Sequence, residues 1–223
     1  MDMEGKGMKS TFTQTHIDQI EYLGMSVERL LEVDPILMLH RIHNIKASVC
    51  PVFRALMIAS MDHGLSPPST ISARLAASCG APLPQSLAAA FSTFGPHHGP
   101  VVQAALMLRE ERTLNQIAKI SRVPGFGHPI HRCDPRVDPL VKIGQQYLSF
   151  TPFTTKLMSW DRVIEHAHPN LAGVMAALML DCGWPVSLCG LPLLMGRMMG
   201  ISKHFLEQQT QGQCVTWEKL KDE

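Results

Sequence analysis

Charge is sparse in this sequence. Asp, Glu, Lys and Arg supply 17% of its 223 residues and apolar residues 45%, so the chain can bury a sizeable core and needs neither a disulfide framework nor a metal staple to fold. Neither sign is in excess. The formal net charge is +1, and no basic stripe is available to meet nucleic acid. CxxC pairs are missing as well, so Cys50, Cys79, Cys133, Cys182, Cys189 and Cys214 read as reduced thiols of a cytoplasmic protein rather than as disulfides or a zinc site. No apolar segment follows the acid-bearing start MDMEGKGMKS, which does not suit a signal peptide, and residues 1–12 are expected to be a flexible tail. The most apolar run, Val174 to Gly200, is broken by Asp181, Pro185, Pro192 and Arg197. A buried helix pair fits it better than a membrane span.

Alternating β-branched runs are also scarce, and helical punctuation is plentiful. From Ile17 to Ile45 apolar residues recur at helical spacing, which predicts two or three short amphipathic helices. A helix over Pro51–Asp62 stops at His63-Gly64, another runs from the SPPS segment at Ser66 to Gly80, and a third runs from Leu83 to Phe94 before Gly95-Pro96. Further helices are expected over Val101–Arg112, Leu114–Ile120, Leu140–Phe150 and Pro152–Ala167. The last, over Val186–Gln211, is expected to break near Leu191-Pro192. The class is all-α.

One stretch cannot be regular. Pro124 to Pro139, PGFGHPIHRCDPRVDP, holds four prolines and two glycines, which deny it helix and ladder hydrogen bonds. Gly125 and Gly127 flank Phe126, so the backbone can turn sharply and offer N–H groups to a ligand beside an aromatic face. His128 is held out of helical geometry by Pro129. With Arg132 and Arg136 close by, it suits an anionic ligand and a proton transfer.

Other histidines lie at helix ends. His63, taken alone, fits a C-cap interacting with the helix dipole. The adjacent His97 and His98 occupy a turn after Gly95-Pro96, without the spacing or third ligand of a metal site. His166 and His168 read as a solvated helix terminus. Arg197 is an isolated cation in a Met-rich run. Buried alone it would cost several kcal/mol, so it is expected to face a ligand, an acid or water.

Taken in order, MDHG around His63, the Gly-Pro-x-His-Gly turn ending in His98-Gly99, Gly-Phe-Gly-His at 125–128, Asp134-Pro135-Arg136 and the Arg-x-x-Gly pair at Arg197 and Gly200 resemble the citrate synthase superfamily. At this length the chain is most similar to its short citryl-CoA lyase type. The resemblance spans Pro51 to Glu207. It implies a citrate-synthase-like helical fold over residues 13–223, with a larger lobe of about 13–99 and 187–223, a smaller lobe of about 100–186, and a homodimer. It further implies that His98 holds the thioester enol, that His128 moves the proton at the hydroxyl or keto oxygen, and that His63, Arg136 and Arg197 grip the carboxylates of a dicarboxylate such as oxaloacetate. Val123, Gly125, Phe126, Gly127 and Arg132 would hold CoA or an acyl-CoA, which enters as substrate; no tightly bound cofactor and no metal are expected.

The sequence departs from the family at Pro169-Asn170-Leu171-Ala172-Gly173. Where the resemblance expects the aspartate that takes the α-proton, Ala172 stands. The expectation is therefore a carbon–carbon bond enzyme acting on CoA esters with altered or weakened activity. The alternatives are a CoA- and carboxylate-binding subunit without turnover and a thioester hydrolase. His166, His168, Glu165 and Asp181 are the neighbours in sequence from which a replacement base would come. The histidines are preferred, because Asp181 lies ~13 Å farther along an ideal helix at ~1.5 Å per residue.

Overall fold

The computed structural model describes residues 13–16 and 19–212, so the expected tail over 1–12 lies outside the described residues. Helix accounts for 59% and strand for 4%, which places the protein in the all-α class. The chain divides into two compact units, the first ending at Cys50 and the second beginning at Pro51.

The first unit differs from the sequence expectation. In place of a helix from Ile17 it contains an antiparallel meander of β1 (Thr13–His16), β2 (Gln19–Tyr22) and β3 (Met25–Ser26), in the order β1-β2-β3. Tyr22 pairs with Met25 across a two-residue turn, and both turn residues, Leu23 and Gly24, take positive φ (51° and 70°). Two left-handed residues in a two-residue loop match the twist of a hairpin, and this local geometry overrides the apparent period of Ile17, Ile20 and Leu23. Helices follow where expected: α1 (Val27–Leu30) and α2 (Pro35–Ile42). Proline opens α2, and the Asp34 side chain caps it by accepting the Leu37 N–H at 2.9 Å, satisfying one of the orphan donors of the first turn.

The second unit is built of helices delimited largely by proline and glycine. These are α3 (Cys50–Ala59), α4 (Pro68–Ser78), α5 (Leu83–Phe91), α6 (Val101–Arg109), α7 (Leu114–Ala118), α8 (Val137–Tyr147), α9 (Pro152–Asp161), α10 (Leu171–Asp181) and α11 (Leu191–Gln211). Each long helix expected from the sequence is present, with ends shifted by a few residues. Val186–Leu188 forms a separate 3₁₀ turn before α11, so the expected break near Leu191-Pro192 is observed.

Two packing groups organise this unit: α4 lies against α5 and α11, while α10 is surrounded by α6, α8 and α9. All of Leu171 to Leu180 is buried, as a helix apolar around its whole circumference must be. Its side chains Met175, Leu178 and Met179 are among the largest fully buried ones. No helix among the described residues is long and apolar enough to cross a membrane.

The approach of α11 to α3 and the segment after it is closer than side chains would permit. A Cβ built on Gly196 would run into the Met57 carbonyl oxygen, and one on Gly200 into the Met61 carbonyl oxygen. These obstacles are backbone, which cannot rotate away, so a methyl must push α11 outward. Overpacking of this kind costs ~1–3 kcal/mol. We expect Gly200→Ala to lower the melting temperature by roughly 2–4 °C per kcal/mol in a domain of this size, measured by circular dichroism; an unchanged melting curve would show that the approach is not this tight.

Candidate active site

Within the second unit a cavity of about 750 Å³ opens where several helices begin. Its wall takes in the first turns of α4, α6, α10 and α11, through Pro68, Val101, Ala172 and Leu193. The N-terminal end of a helix carries partial positive charge, so this convergence suits an anion. The irregular segments between helices supply His63, His98 and His128, together with Arg136, while Arg197 enters from α11. These five side chains, spread over much of the chain, share one cavity.

The proline-rich loop is ordered by what it touches. Gly125 and Gly127 have φ of 88° and 83°, a region that L side chains rarely adopt. A Cβ on Gly125 would also lie 2.5 Å from the Gly173 Cα, so loop and α10 meet backbone to backbone. The contact is closed by hydrogen bonds: Asn170 N–H donates to Gly125 O at 2.9 Å, Gly127 N–H to His168 O at 2.8 Å, and Asn170 Nδ2 to Gly127 O at 2.6 Å. One expectation is corrected here. The Phe126 N–H is already given to Val123 O at 3.1 Å, and with the Gly127 N–H also occupied the loop offers a ligand shape and an aromatic surface rather than bare donors at these two positions.

Asp134 fixes the far end of the loop to the same helix. Its buried carboxylate accepts from Arg136 Nε and Nη2, both at 2.8 Å, from the Arg136 N–H at 3.1 Å, and from the Leu171 N–H of α10 at 2.9 Å. Burial pushes its pKa up, but the donors from Arg136 and Leu171 outweigh it and hold the carboxyl down to about 2. It is therefore ionised and fully engaged, and it orients the Arg136 guanidinium in a fork-to-fork pair.

Two of the imidazoles have hydrogen-bond partners within the protein. His128 Nδ1 accepts the N–H groups of Ile130 and His131, at 3.2 and 3.1 Å, and Arg136 Nη2 approaches its Nε2 at 3.5 Å, so donors face both nitrogens of the ring. Ser69, fully buried at the start of α4, lies 3.0 Å from His98 Nε2 and 3.2 Å from Arg197 Nη1. Arginine can only donate, so Ser69 Oγ accepts from it; the tautomer that also uses the hydroxyl's own hydrogen has Ser69 donating to His98 Nε2 and the His98 proton on Nδ1. The His98 ring also stacks on Phe94, 4.9 Å between centroids, and the Arg197 guanidinium lies 6.0 Å from that same Phe94 ring.

Arg197 is only 3% exposed. Its Nε donates to the Ser60 carbonyl at 3.0 Å, and among the described residues its hydrogen bonds go to Ser60 and Ser69 rather than to a carboxylate. Burial draws its pKa down to about 10, which leaves it charged at neutral pH. His63 is displaced in the same direction, out of its usual role as a switch: burial first, then Arg197 and Arg136, lower its pKa to about 4. Burial and Arg197 also lower His98, and burial chiefly lowers His128. The site is thus a set of neutral imidazoles among permanent cations. His63 stands edge-on to His128 with centroids 5.3 Å apart.

His63 has its own support. Asp62 accepts from the backbone N–H groups of His63 and Gly64 and pairs with His204 Nε2 of α11 at 2.9 Å, so the loop that carries His63 is tied to the helix that carries Arg197. Neither Ser69 nor this pair was expected from the sequence; a serine in SPPS and an aspartate at a helix end are unremarkable until α4 and α11 are packed.

Of the residues expected to hold CoA, Val123, Gly125, Phe126 and Gly127 line the cavity. Arg132 does not; it is exposed, and Arg122 lines the wall instead. The four neighbours considered as a replacement base are outside the wall too. Asp181 caps α9 through the Phe153 and Thr154 N–H groups at 2.9 and 3.0 Å, His166 meets Ser121 O, and His168 pairs with Asp161. Glu165 likewise does not line the wall. Ala172 does, and is 9% exposed. Among the described residues no cluster of His, Cys, Asp and Glu is arranged to hold a metal.

The family model described as citrate synthase, C-terminal domain, matches residues 33–217. That is most of the sequence, and the chain belongs to the citrate synthase family. Among solved structures it is similar to citryl-CoA lyase from Hydrogenobacter thermophilus, with a TM-score of 0.83 at 23% identity over 95% of this chain and 92% of that one. It is also similar to the ATP citrate lyase of Methanosaeta concilii in complex with (3S)-citryl-CoA, with a TM-score of 0.84 at 17% identity, covering 97% of this chain and 41% of that one. Citrate synthase from Thermotoga maritima gives 0.71 at 18% identity, covering 80% of this chain and 54% of that one. No curated protein sequence matched. At these identities the structural likeness establishes the fold.

The pKa of His63 makes a testable statement. Because its folded value, about 4, lies below its ordinary 6.5, the folded protein binds fewer protons than the unfolded chain between those values, and stability falls as pH drops through that window. Histidine Cε1–H resonances should show His63 still neutral at pH 5, and Arg197→Met should raise its midpoint. A His63 that titrates near 6.5 in the wild type would contradict this environment.

Proposed function

We propose that the protein is a carbon–carbon bond enzyme acting on CoA esters, of the citryl-CoA lyase or citrate synthase type, which cleaves or forms a citryl-CoA-like substrate. The observation that carries this reading is the meeting of His63, His98, His128, Arg136 and Arg197 around one cavity. Arg136 and Arg197, assisted by His63, bind the carboxylates of a dicarboxylate such as oxaloacetate, the former with its fork already oriented by Asp134. His98 donates from Nδ1 to the thioester oxygen, where negative charge develops. His128 gives a proton to the keto oxygen in condensation and takes it back from the hydroxyl in cleavage.

Val123 to Gly127 form the surface for the CoA chain, and Arg122 is better placed than Arg132 for its phosphates. The division into a larger lobe (13–99 and 187–223) and a smaller one (100–186) that closes on substrate, the homodimer and a cytoplasmic setting are part of this proposal. The exposed apolar residues Ile71 and Leu75 of α4 and Met198 and Leu206 of α11 support a second copy of the chain as partner.

Ala172 favours a second reading. Among the described residues, the wall it belongs to has no carboxylate free to remove an α-proton, which fits a subunit that binds CoA and carboxylates without turning them over. The two readings part in D₂O. With acetyl-CoA and oxaloacetate, the enzyme reading expects slow methyl deuteration above a His98→Gln background, and Ala172→Asp should raise it by about 10²- to 10⁴-fold, the usual worth of a general base. Deuteration confined to Ala172→Asp would support the binding subunit. His128→Ala should lower turnover or dicarboxylate affinity with little change in melting temperature; a large loss of stability with unchanged binding would return His128 to a structural role.

A further inference from the structure

Resting on the reading of the cavity as an acyl-CoA site, its wall raises a narrower question: in the condensing direction, how does a thioester enolate form here without a base? Its one carboxylate among the described residues, Asp134, is held by both Arg136 nitrogens and the Leu171 N–H. Among its histidines, His98 Nε2 is engaged by Ser69, His128 has donors at both nitrogens, His63 is a weak base with its pKa lowered to about 4, and His97 is exposed. What remains intact is the apparatus for stabilising an enolate once made. At the start of α10 the wall is apolar, formed by Leu171, Ala172 and Met175, and the N–H groups of Leu171, Ala172 and Gly173 are already capped by Asp134 and Asn170.

We propose that the acyl-CoA substrate is a thioester bearing a carboxylate on its α-carbon, of the malonyl class, and that the enolate arises by loss of CO₂ rather than by loss of a proton. The bond between the α-carbon and the carboxylate breaks, its electron pair passes to the α-carbon and thioester oxygen, and neutral CO₂ leaves. The oxygen is held by the His98 Nδ1 proton. The enolate then takes a proton from water, giving the acetyl-type thioester, or attacks the keto carbon of a 2-oxo acid, whose oxygen receives a proton from His128; water restores that proton. No oxidant or reductant is needed.

Each feature of the wall favours this course. A carboxylate set against Leu171, Ala172 and Met175 finds no free backbone donor there, so its charge is better accommodated after it has moved to the oxygen facing His98. The short Ala172 side chain leaves room for the extra group. An aspartate at that position would repel it at close range.

The test uses malonyl-CoA labelled in its free carboxylate, with and without oxaloacetate, following labelled CO₂ and the thioester product by mass spectrometry. CO₂ release by the wild-type protein should exceed both the protein-free rate and the His98→Gln rate by at least tenfold. Ala172→Asp, folded by circular dichroism, should lose at least tenfold. Calorimetric titration of the wild type with CoA and with oxaloacetate separates the failures. Binding of both without CO₂ release above the protein-free rate overturns the decarboxylative step and leaves the cavity assignment standing. Binding of neither overturns that assignment and this inference with it. Equal CO₂ release by wild type and Ala172→Asp overturns the part given to position 172.

Discussion

Everything in the cavity depends on where Asp134 puts its charge. A buried carboxylate costs several kcal/mol in lost hydration unless its oxygens are fully used, and here they are used by a guanidinium on the loop and by the first N–H of α10. The proline-rich segment has no ladder of its own to order it, so its geometry is borrowed from that helix. Asn170, Gly125 and Gly127 complete the seam. Loop and helix thereby become one part, and His128 and Arg136 inherit the rigidity of the most buried helix in the second unit.

The electrostatics follow from the same economy of partners. Among the described residues, Arg122, Arg136 and Arg197 face a space with one carboxylate, already occupied, and four imidazoles, of which burial and the guanidiniums keep His63, His98 and His128 neutral. Protonating those rings would add like charge to a poorly hydrated place; an anionic ligand removes the conflict. Differential affinity for charge is therefore built into the site, and neutral N–H donors remain for whichever oxygen becomes negative during reaction.

Much of this was legible in the sequence because proline and glycine mark helix ends through local sterics. Pro68, Pro152 and Gly95 delimit helices whatever they pack against, and the shaped loop announced itself by composition alone. The meander over Thr13–Ser26 was hidden: three apolar residues at a spacing of three mimic a helix face, and the Leu23-Gly24 turn decides the matter through two φ angles that no periodicity displays. In the site, the ring- and guanidinium-bearing groups stood out by type and motif. Ser69, Arg122 and the Asp62–His204 pair did not, since each acquires meaning only when helices distant in sequence are brought together. Arg132 was misplaced for a related reason: closeness in sequence within an irregular loop says little about which side of it a chain points to. The donors assumed at Phe126 and Gly127 failed on the same ground, their partners being supplied by the turn itself and by the segment before α10.

On α11, Arg197 sits directly after Gly196 and three residues before Gly200. The two glycines bring the helix against the carbonyls of Met57 and Met61, and that intimacy sets the reach of the guanidinium to the Ser60 oxygen and Ser69 hydroxyl. Helix spacing and the position of this cation in the cavity are consequently one variable. A lineage that gradually widened this crossing would move the charge before its chains ceased to fold, so divergence in this helix would register first in the cavity and only later as frailty.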